Sequence, residues 1–282
     1  MRDWFRKGND LIRDLLEINP LENCAAIWHI GQCGIFLKYQ GKILLVDPVL
    51  TPISDESGKS CKHFDAPFDP QAPFPADAVF CTHNHLDHLN AETIRGIAAS
   101  HLETRFYVPQ GVMPEISALI EPFCERVTGL RQDETCVLFP GLSVTAIAAA
   151  HDYYKTDENG NEKALGYLFH CGELNLFHAG DTLATDRLVR EVSAHGNIHA
   201  AFLPINGRDW VRESNDIIGN MTPQEAALFA DLISCDTVFP VHYDMMIGNE
   251  ENPLIFAQYM ADRYPLRPYH FLQLGEPFLF WR

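Results

Sequence analysis

The apolar positions of this chain follow two periods. Short apolar runs bounded by Gly, Asp or Asn predict β-strands, and longer stretches with apolar residues three or four apart predict helices. Residues 3–18 carry Trp4, Leu11, Leu15 and Ile18 on one side, together with charges of both signs and no basic face. That pattern predicts an amphipathic helix docked on a core, not a membrane anchor. Strands then dominate up to Asp47, the last of them being Lys42-Ile43-Leu44-Leu45-Val46. Further strands are predicted at 77–82, 104–108, 136–139, 142–150, 164–170, 174–177, 199–203, 237–240 and 278–281, and helices at 91–100, 186–195, 222–234 and 253–264. Two helix starts are explicit. Asn90 is an N-cap, and Thr222-Pro223-Gln224-Glu225 combines a Thr cap, Pro in the first turn and Glu closing a capping box.

Strands alternating with helices predict an α/β architecture. At 282 residues and 46% hydrophobic content, the chain can bury one large core, and no Gly/Ser-rich or Pro-rich linker divides it. We therefore expect a single domain over 1–282, with residues 1–20 as its N-terminal docking helix. The Pro-rich stretch 66–75 reads as a long surface loop able to wall a pocket.

Composition narrows the function. A net charge of −17 leaves no basic stripe for a polyanion, which excludes nucleic acid as a partner. Eight scattered cysteines without a Cys-x-x-Cys pair, and a Met-Arg-Asp-Trp-Phe start without a signal-peptide core, point to a cytoplasmic setting. No run approaches eighteen apolar residues, so no membrane span is expected.

The chemistry concentrates in His83-Asn84-His85-Leu86-Asp87-His88, a loop between a buried strand and the helix capped by Asn90. His83 and His85, two apart on extended backbone, project in one direction, while Asp87 and His88 turn with the loop to a point a few ångströms away, a geometry suited to two adjacent metals. Three later groups also stand at strand ends: His151, Asp181 and His242. Strand ends meeting at one rim of a sheet are where sites form. Imidazole and carboxylate without thiolate suit Zn, Mn or Fe, and the cysteines stand outside these motifs.

The ordered set Asp47, His-x-His-x-Asp-His, His151, Gly180-Asp181-Thr182 and His242 resembles the metallo-β-lactamase-fold hydrolases over residues 28–242. The stretches Trp28-His29-Ile30-Gly31-Gln32-Cys33-Gly34-Ile35, Pro204-Ile205-Asn206-Gly207-Arg208 and Pro240-Val241-His242-Tyr243-Asp244 resemble the branch that includes L-ascorbate 6-phosphate lactonase. The resemblance implies a four-layer αββα sandwich, mixed sheets inside and helices outside. It implies that His83, His85 and His151 hold one divalent metal, that Asp87, His88 and His242 hold a second, and that Asp181 bridges them. Asp87 and Asp181 are then the catalytic carboxylates, and Asp47 fixes the His-rich loop from behind. Two dications roughly 3.5–4 Å apart would hold a bridging hydroxide. That lactonase carries an acidic residue where His151 stands here and a longer C-terminal region; the histidine moves preference from Mn towards Zn or Fe.

The resulting expectation is a dinuclear hydrolase opening a sugar-derived, phosphorylated lactone. The alternatives are a phosphodiesterase, related to phospholipase D-like enzymes with a similar His-rich loop, and a non-catalytic metal-binding protein. A small anionic or sugar-derived substrate would meet Arg208 as a bidentate anion grip, Lys155 as a point charge and Tyr243 beside His242. His178 reads as a satisfied core histidine. A homo-oligomer is plausible by resemblance.

Overall fold

The structure is a computed structural model that describes residues 3–281. The first half of the chain runs α1 (Gly8–Glu17), β1 (Cys24–Gly31), β2 (Gly34–Tyr39), β3 (Lys42–Val46), β4 (Ala78–Phe80), α2 (Ala91–Ser100), β5 (Arg105–Pro109), α3 (Met113–Ile120) and β6 (Val127–Leu130). The second half runs β7 (Thr135–Phe139), β8 (Leu142–Ala148), β9 (Leu165–Cys171), β10 (Leu174–His178), α4 (Asp186–Ser193), β11 (Ala200–Pro204), α5 (Trp210–Glu213), α6 (Pro223–Leu232), β12 (Thr237–Val241), α7 (Pro253–Arg263) and β13 (Pro277–Trp281).

These strands form two mixed sheets. One is seven-stranded in the order β13-β1-β2-β3-β4-β5-β6, the other six-stranded in the order β12-β11-β10-β9-β8-β7. In the first sheet β13, β1, β2 and β3 pair antiparallel while β3, β4, β5 and β6 run parallel. In the second, β10, β11 and β12 are parallel and β7 to β10 antiparallel.

Alternation along each strand sorts the side chains into layers. Ile35 and Leu37 on β2, Leu44 and Val46 on β3, Tyr167 and Phe169 on β9, and Phe202 on β11 form one core between the sheets. Phe36, Ile43, Leu45 and Val79 face the other way and meet Leu11, Leu15, Ile94, Ile97 and Ile116 from α1, α2 and α3. Leu168, Phe177, Ala201, Leu203 and Val238 meet Leu188, Ala226, Phe229 and Phe256 from α4, α6 and α7. The outcome is helices, sheet, sheet, helices, with the central strands buried on both faces, as their near-continuous apolar runs require, and the edge strands β6, β7 and β13 partly exposed.

Three sequence expectations are corrected. The N-terminal helix begins at Gly8, not residue 3, because Lys7 is extended and Gly8 sits at φ 56°; residues 1 and 2 of the expected 1–20 segment lie outside the described residues. The 66–75 loop does not wall the centre described below. Its Phe68 and Phe74 pack on Phe36, and His101 contacts the Ala72 carbonyl at 3.1 Å. The cysteines do not all stand apart from the chemistry, as Cys33 shows. The two helix starts hold: the Asn90 side chain accepts from the Thr93 amide, and Thr222 and Glu225 form a reciprocal capping box.

Candidate metal centre

The C-terminal ends of parallel strands converge on one rim. Asp47 follows β3, the His-rich loop follows β4, Asp181 follows β10 and His242 follows β12; His151 follows the C-terminal end of β8, which runs in the direction of β10 because both pair antiparallel with β9. The Gly180 backbone brings the two sheets together here. Gly180 adopts φ 61°, and a Cβ there would stand 2.7 Å from that of Thr82, so only a residue without a side chain lets the Asp181 loop touch the His-rich loop. Thr182 ties His151 in, its Oγ1 accepting from the Ala150 amide at 3.0 Å.

Two donor groups result. His83, His85 and His151 bring ring nitrogens within 4.8 Å of one another, and His88, Asp181, His242 and Cys33 do the same for a second set. His85 Nδ1 and His151 Nε2 are 2.9 Å apart. Asp181 stands between the sets: Oδ2 is 3.7 Å from His151 Nε2 and 3.2 Å from His242 Nε2, and Oδ1 is 3.2 Å from His88 Nε2. Asp87 Oδ2 flanks the second set, 3.7 Å from His88 Nε2 and 3.5 Å from His242 Nε2. Asp47, fully buried, accepts from the Thr82 amide and hydroxyl at 2.7 Å and reaches His88 Nδ1 at 2.7 Å.

The donor chemistry fits divalent cations. His83 Nε2 is buried without a hydrogen-bond partner, and His88 Nε2 is buried facing only carboxylate oxygens, Asp181 Oδ1 at 3.2 Å and Asp87 Oδ2 at 3.7 Å. A buried ring nitrogen without a partner costs free energy unless something coordinates it. Asp47 explains how the second of these is presented, since a carboxylate on Nδ1 fixes the tautomer and turns Nε2 towards the centre.

The electrostatics of the two groups differ. Burial pushes the imidazoles of His83 and His85 down and that of His151 down to about 4, so this set is neutral near pH 7. For His88 and His242 burial also opposes charge, but Asp181, Asp87 and, for His88, Asp47 outweigh it, raising His88 well above the usual range and His242 to about 9. The carboxyls of Asp181 and Asp87 are held low against the cost of burial, Asp181 by His242 and His88 and Asp87 by His88 and His242. One set is thus ready to ligate as it stands, while the other holds protons where a dication would sit.

Sequence reasoning missed two neighbours. Cys33, fully buried, lies 3.7 Å from Asp181 Oδ1. Gln32 Nε2 donates to Asp87 Oδ2 at 2.7 Å and stands 3.0 Å from His242 Nε2. Both sit in the turn between β1 and β2, within the 28–35 stretch that carried the branch resemblance but gave neither residue a role. His178 is a satisfied core residue: Nε2–H donates to the Cys33 carbonyl at 2.8 Å, and Nδ1 accepts from the Gly180 amide.

The substrate candidates fall in three settings. A cleft of about 220 Å³ opens on His83, His85 and His151 and is edged by Tyr153, Lys155 and Lys163. Lys155 pairs with Asp152 at 3.0 Å and Lys163 with Glu115 at 2.5 Å. Arg208 borders a separate cleft of about 430 Å³ beside Asp152 and Leu183. Its fork, expected to be open to an anion, is held by both Glu225 oxygens at 2.6 Å and by the Asn220 carbonyl. Tyr243 is buried and packs against Phe271 within the core of the second half.

A four-layer sandwich with histidines and carboxylates gathered from the strand ends of both sheets defines the metallo-β-lactamase class of metal-dependent hydrolase. Residues 43–243 match the family model described as the beta-lactamase superfamily domain, and the chain belongs to that family. It is 26% identical over 243 residues to a UPF0173 metal-dependent hydrolase of Bacillus cereus, covering 81% of this chain and 89% of that protein. Its fold is similar to that of Igni18, a metallo hydrolase from the archaeon Ignicoccus hospitalis, with a TM-score of 0.70, 18% identity and coverage of 92% and 99% of the two chains. An isothiocyanate hydrolase from Delia radicum gut bacteria gives 0.70, 17%, 90% and 99% by the same measures. No helix of the described residues is long and apolar enough to cross a membrane.

Proposed function

We propose that this chain is a two-metal hydrolase of the L-ascorbate 6-phosphate lactonase-like branch, opening a sugar-derived lactone that carries a phosphate. The observation that carries the reading is the convergence of His83, His85 and His151 beside His88, Asp87 and His242, with Asp181 within 3.7 Å of imidazoles from both sets. In this reading the first three residues hold one divalent cation, Asp87, His88 and His242 hold the other, and Asp181 is shared. Zn, Mn or Fe bound there would supply Lewis acidity for a carbonyl and bring the pKa of a water towards neutrality.

The chain's own groups do the rest. Asp87, kept ionised beside His88 and His242, is the group that orients the attacking water and accepts its proton. Asp47 acts through His88, keeping its ring turned to the centre. Lys155 and Lys163, at the mouth of the cleft over His83, His85 and His151, would draw in an anionic substrate, each being partly neutralised by its own carboxylate. A cytoplasmic setting belongs to this reading and is supported by eight cysteines with free thiols.

The test is turnover of a panel of sugar lactones, with and without phosphate, against bis(p-nitrophenyl) phosphate at one metal loading. Lactone opening that disappears in His85→Ala, with the fold retained, supports the proposal. Phosphodiester cleavage exceeding lactone opening would replace it with a phosphodiesterase, and no turnover of either with both metals bound would leave a binding protein.

A further inference from the structure

We propose that Gln32 is a positioning residue that sets the affinity of the His88/His242 side of the centre; the inference rests on the two-metal reading above. Gln32 is fully buried in the turn between β1 and β2, at φ 55°, a left-handed conformation that side chains rarely adopt. Such a conformation persists where its surroundings over-determine it. Here the Gln32 amide donates to Asp244 Oδ1 at 3.0 Å, and its carbonyl accepts from the His242 amide at 2.8 Å and lies 3.2 Å from His29 Nε2. The preceding Gly31, at φ 98°, presses on Phe64, whose ring a Cβ would meet at 2.7 Å. The turn is therefore locked from several sides.

From that locked turn the side chain reaches Asp87 across 55 residues of sequence and His242 across 210. Towards Asp87 the orientation follows from the chemistry: Nε2 donates a charge-assisted hydrogen bond to the carboxylate, whereas the flipped amide would face oxygen with oxygen. Gln32 thus holds one oxygen of Asp87 by its side chain and the backbone of His242 by its own carbonyl. These two residues arrive on separate halves of the chain, and both flank His88. Its Oε1 is buried without a partner, a cost that a methionine of the same length would not bear. An amide does not titrate, so this hold on Asp87 is the same at every working pH. Gln32 touches neither His83, His85 nor His151 in any hydrogen bond, so its effect is confined to one of the two sets.

The experiment is a titration of metal-free protein with Zn in the presence of a competing chelator, for the wild type, Gln32→Met, Asp87→Asn and the double variant. We expect Gln32→Met to bind the first equivalent as the wild type does and the second about 10–100-fold more weakly, as for other residues that orient ligands. In the Asp87→Asn background the same substitution should cost little more, because its route of action is gone. Should Gln32→Met not fold, Gln32→Asn, which is one methylene too short to reach Asp87, carries the same comparison. Wild-type affinity for both equivalents, or a parallel loss at both with a lower melting temperature of the metal-free protein, would overturn the proposal. A wild type that takes up one equivalent only would instead overturn the two-metal reading beneath it.

Discussion

Asp47 Oδ2 lies 2.7 Å from His88 Nδ1, both side chains being fully buried. The contact is a strut between the end of β3 and the His-rich loop, since the same carboxylate also takes the Thr82 amide and hydroxyl. Asp47→Ala should leave three buried donors without an acceptor, destabilising the metal-free protein by about 1–3 kcal/mol and weakening metal uptake about 10–100-fold. Urea unfolding and a chelator titration measure both; unchanged affinity would mean that His88 needs no orienting partner.

The two donor sets should differ in proton release. His83, His85 and His151 are neutral near pH 7, whereas His242, with its pKa raised to about 9, and His88 are protonated. A cation entering the His88/His242 side must displace those protons, about two in number, while the other side releases none. Its affinity therefore increases with pH through about 9, where His242 gives up its proton. Calorimetry in buffers of different ionisation heat reads the protons directly, and equal release by both equivalents would contradict the assignment.

Gly180→Ala should be far costlier than an ordinary surface change. The new methyl would stand 2.7 Å from Thr82 Cβ, at φ 61°. Strained backbone of this kind costs on the order of 1–3 kcal/mol before the clash is counted. The expected result is a lower urea midpoint and a loss of metal from both sets together.

Lys62 gives a stability prediction away from the centre. It is buried, with Nζ donating to the Thr51 carbonyl at 3.0 Å, and burial lowers its pKa from 10.5 to about 8, against the pull of Asp65. The folded state then binds fewer protons than the unfolded one between about 8 and 10.5, so stability increases with pH across that window and is lost as pH falls through about 8. The span is worth on the order of 3 kcal/mol. Unfolding free energies at pH 7 and pH 10 should diverge in the wild type and converge in Lys62→Met; a parallel pH dependence in the two would sink the idea.

What the sequence made legible was local. The strand before His83 and the Asn90 cap sit within a few residues of one another, and the Thr222 box closes over a single turn, so pattern and propensity were enough. The helix Met113–Ile120 and strand Val127–Leu130 escaped because Pro114 opens the one and Gly129 interrupts the other, leaving no clean period. Gln32 and Cys33 escaped for a different reason. Each acts only through partners more than fifty positions away, Asp87 and Asp181, and a polar residue in a turn reads as solvated until those partners are known.

The contact between Gly180 and Thr82 joins donors that are synthesised almost a hundred positions apart. A partial chain that has formed only β1 to β6 owns His83, His85, Asp87 and His88 but lacks His151, Asp181 and His242, which close the two pockets. Cation retention during refolding should therefore lag behind secondary structure and coincide with sheet docking, which makes bound metal a clock for the slowest long-range closure of this chain.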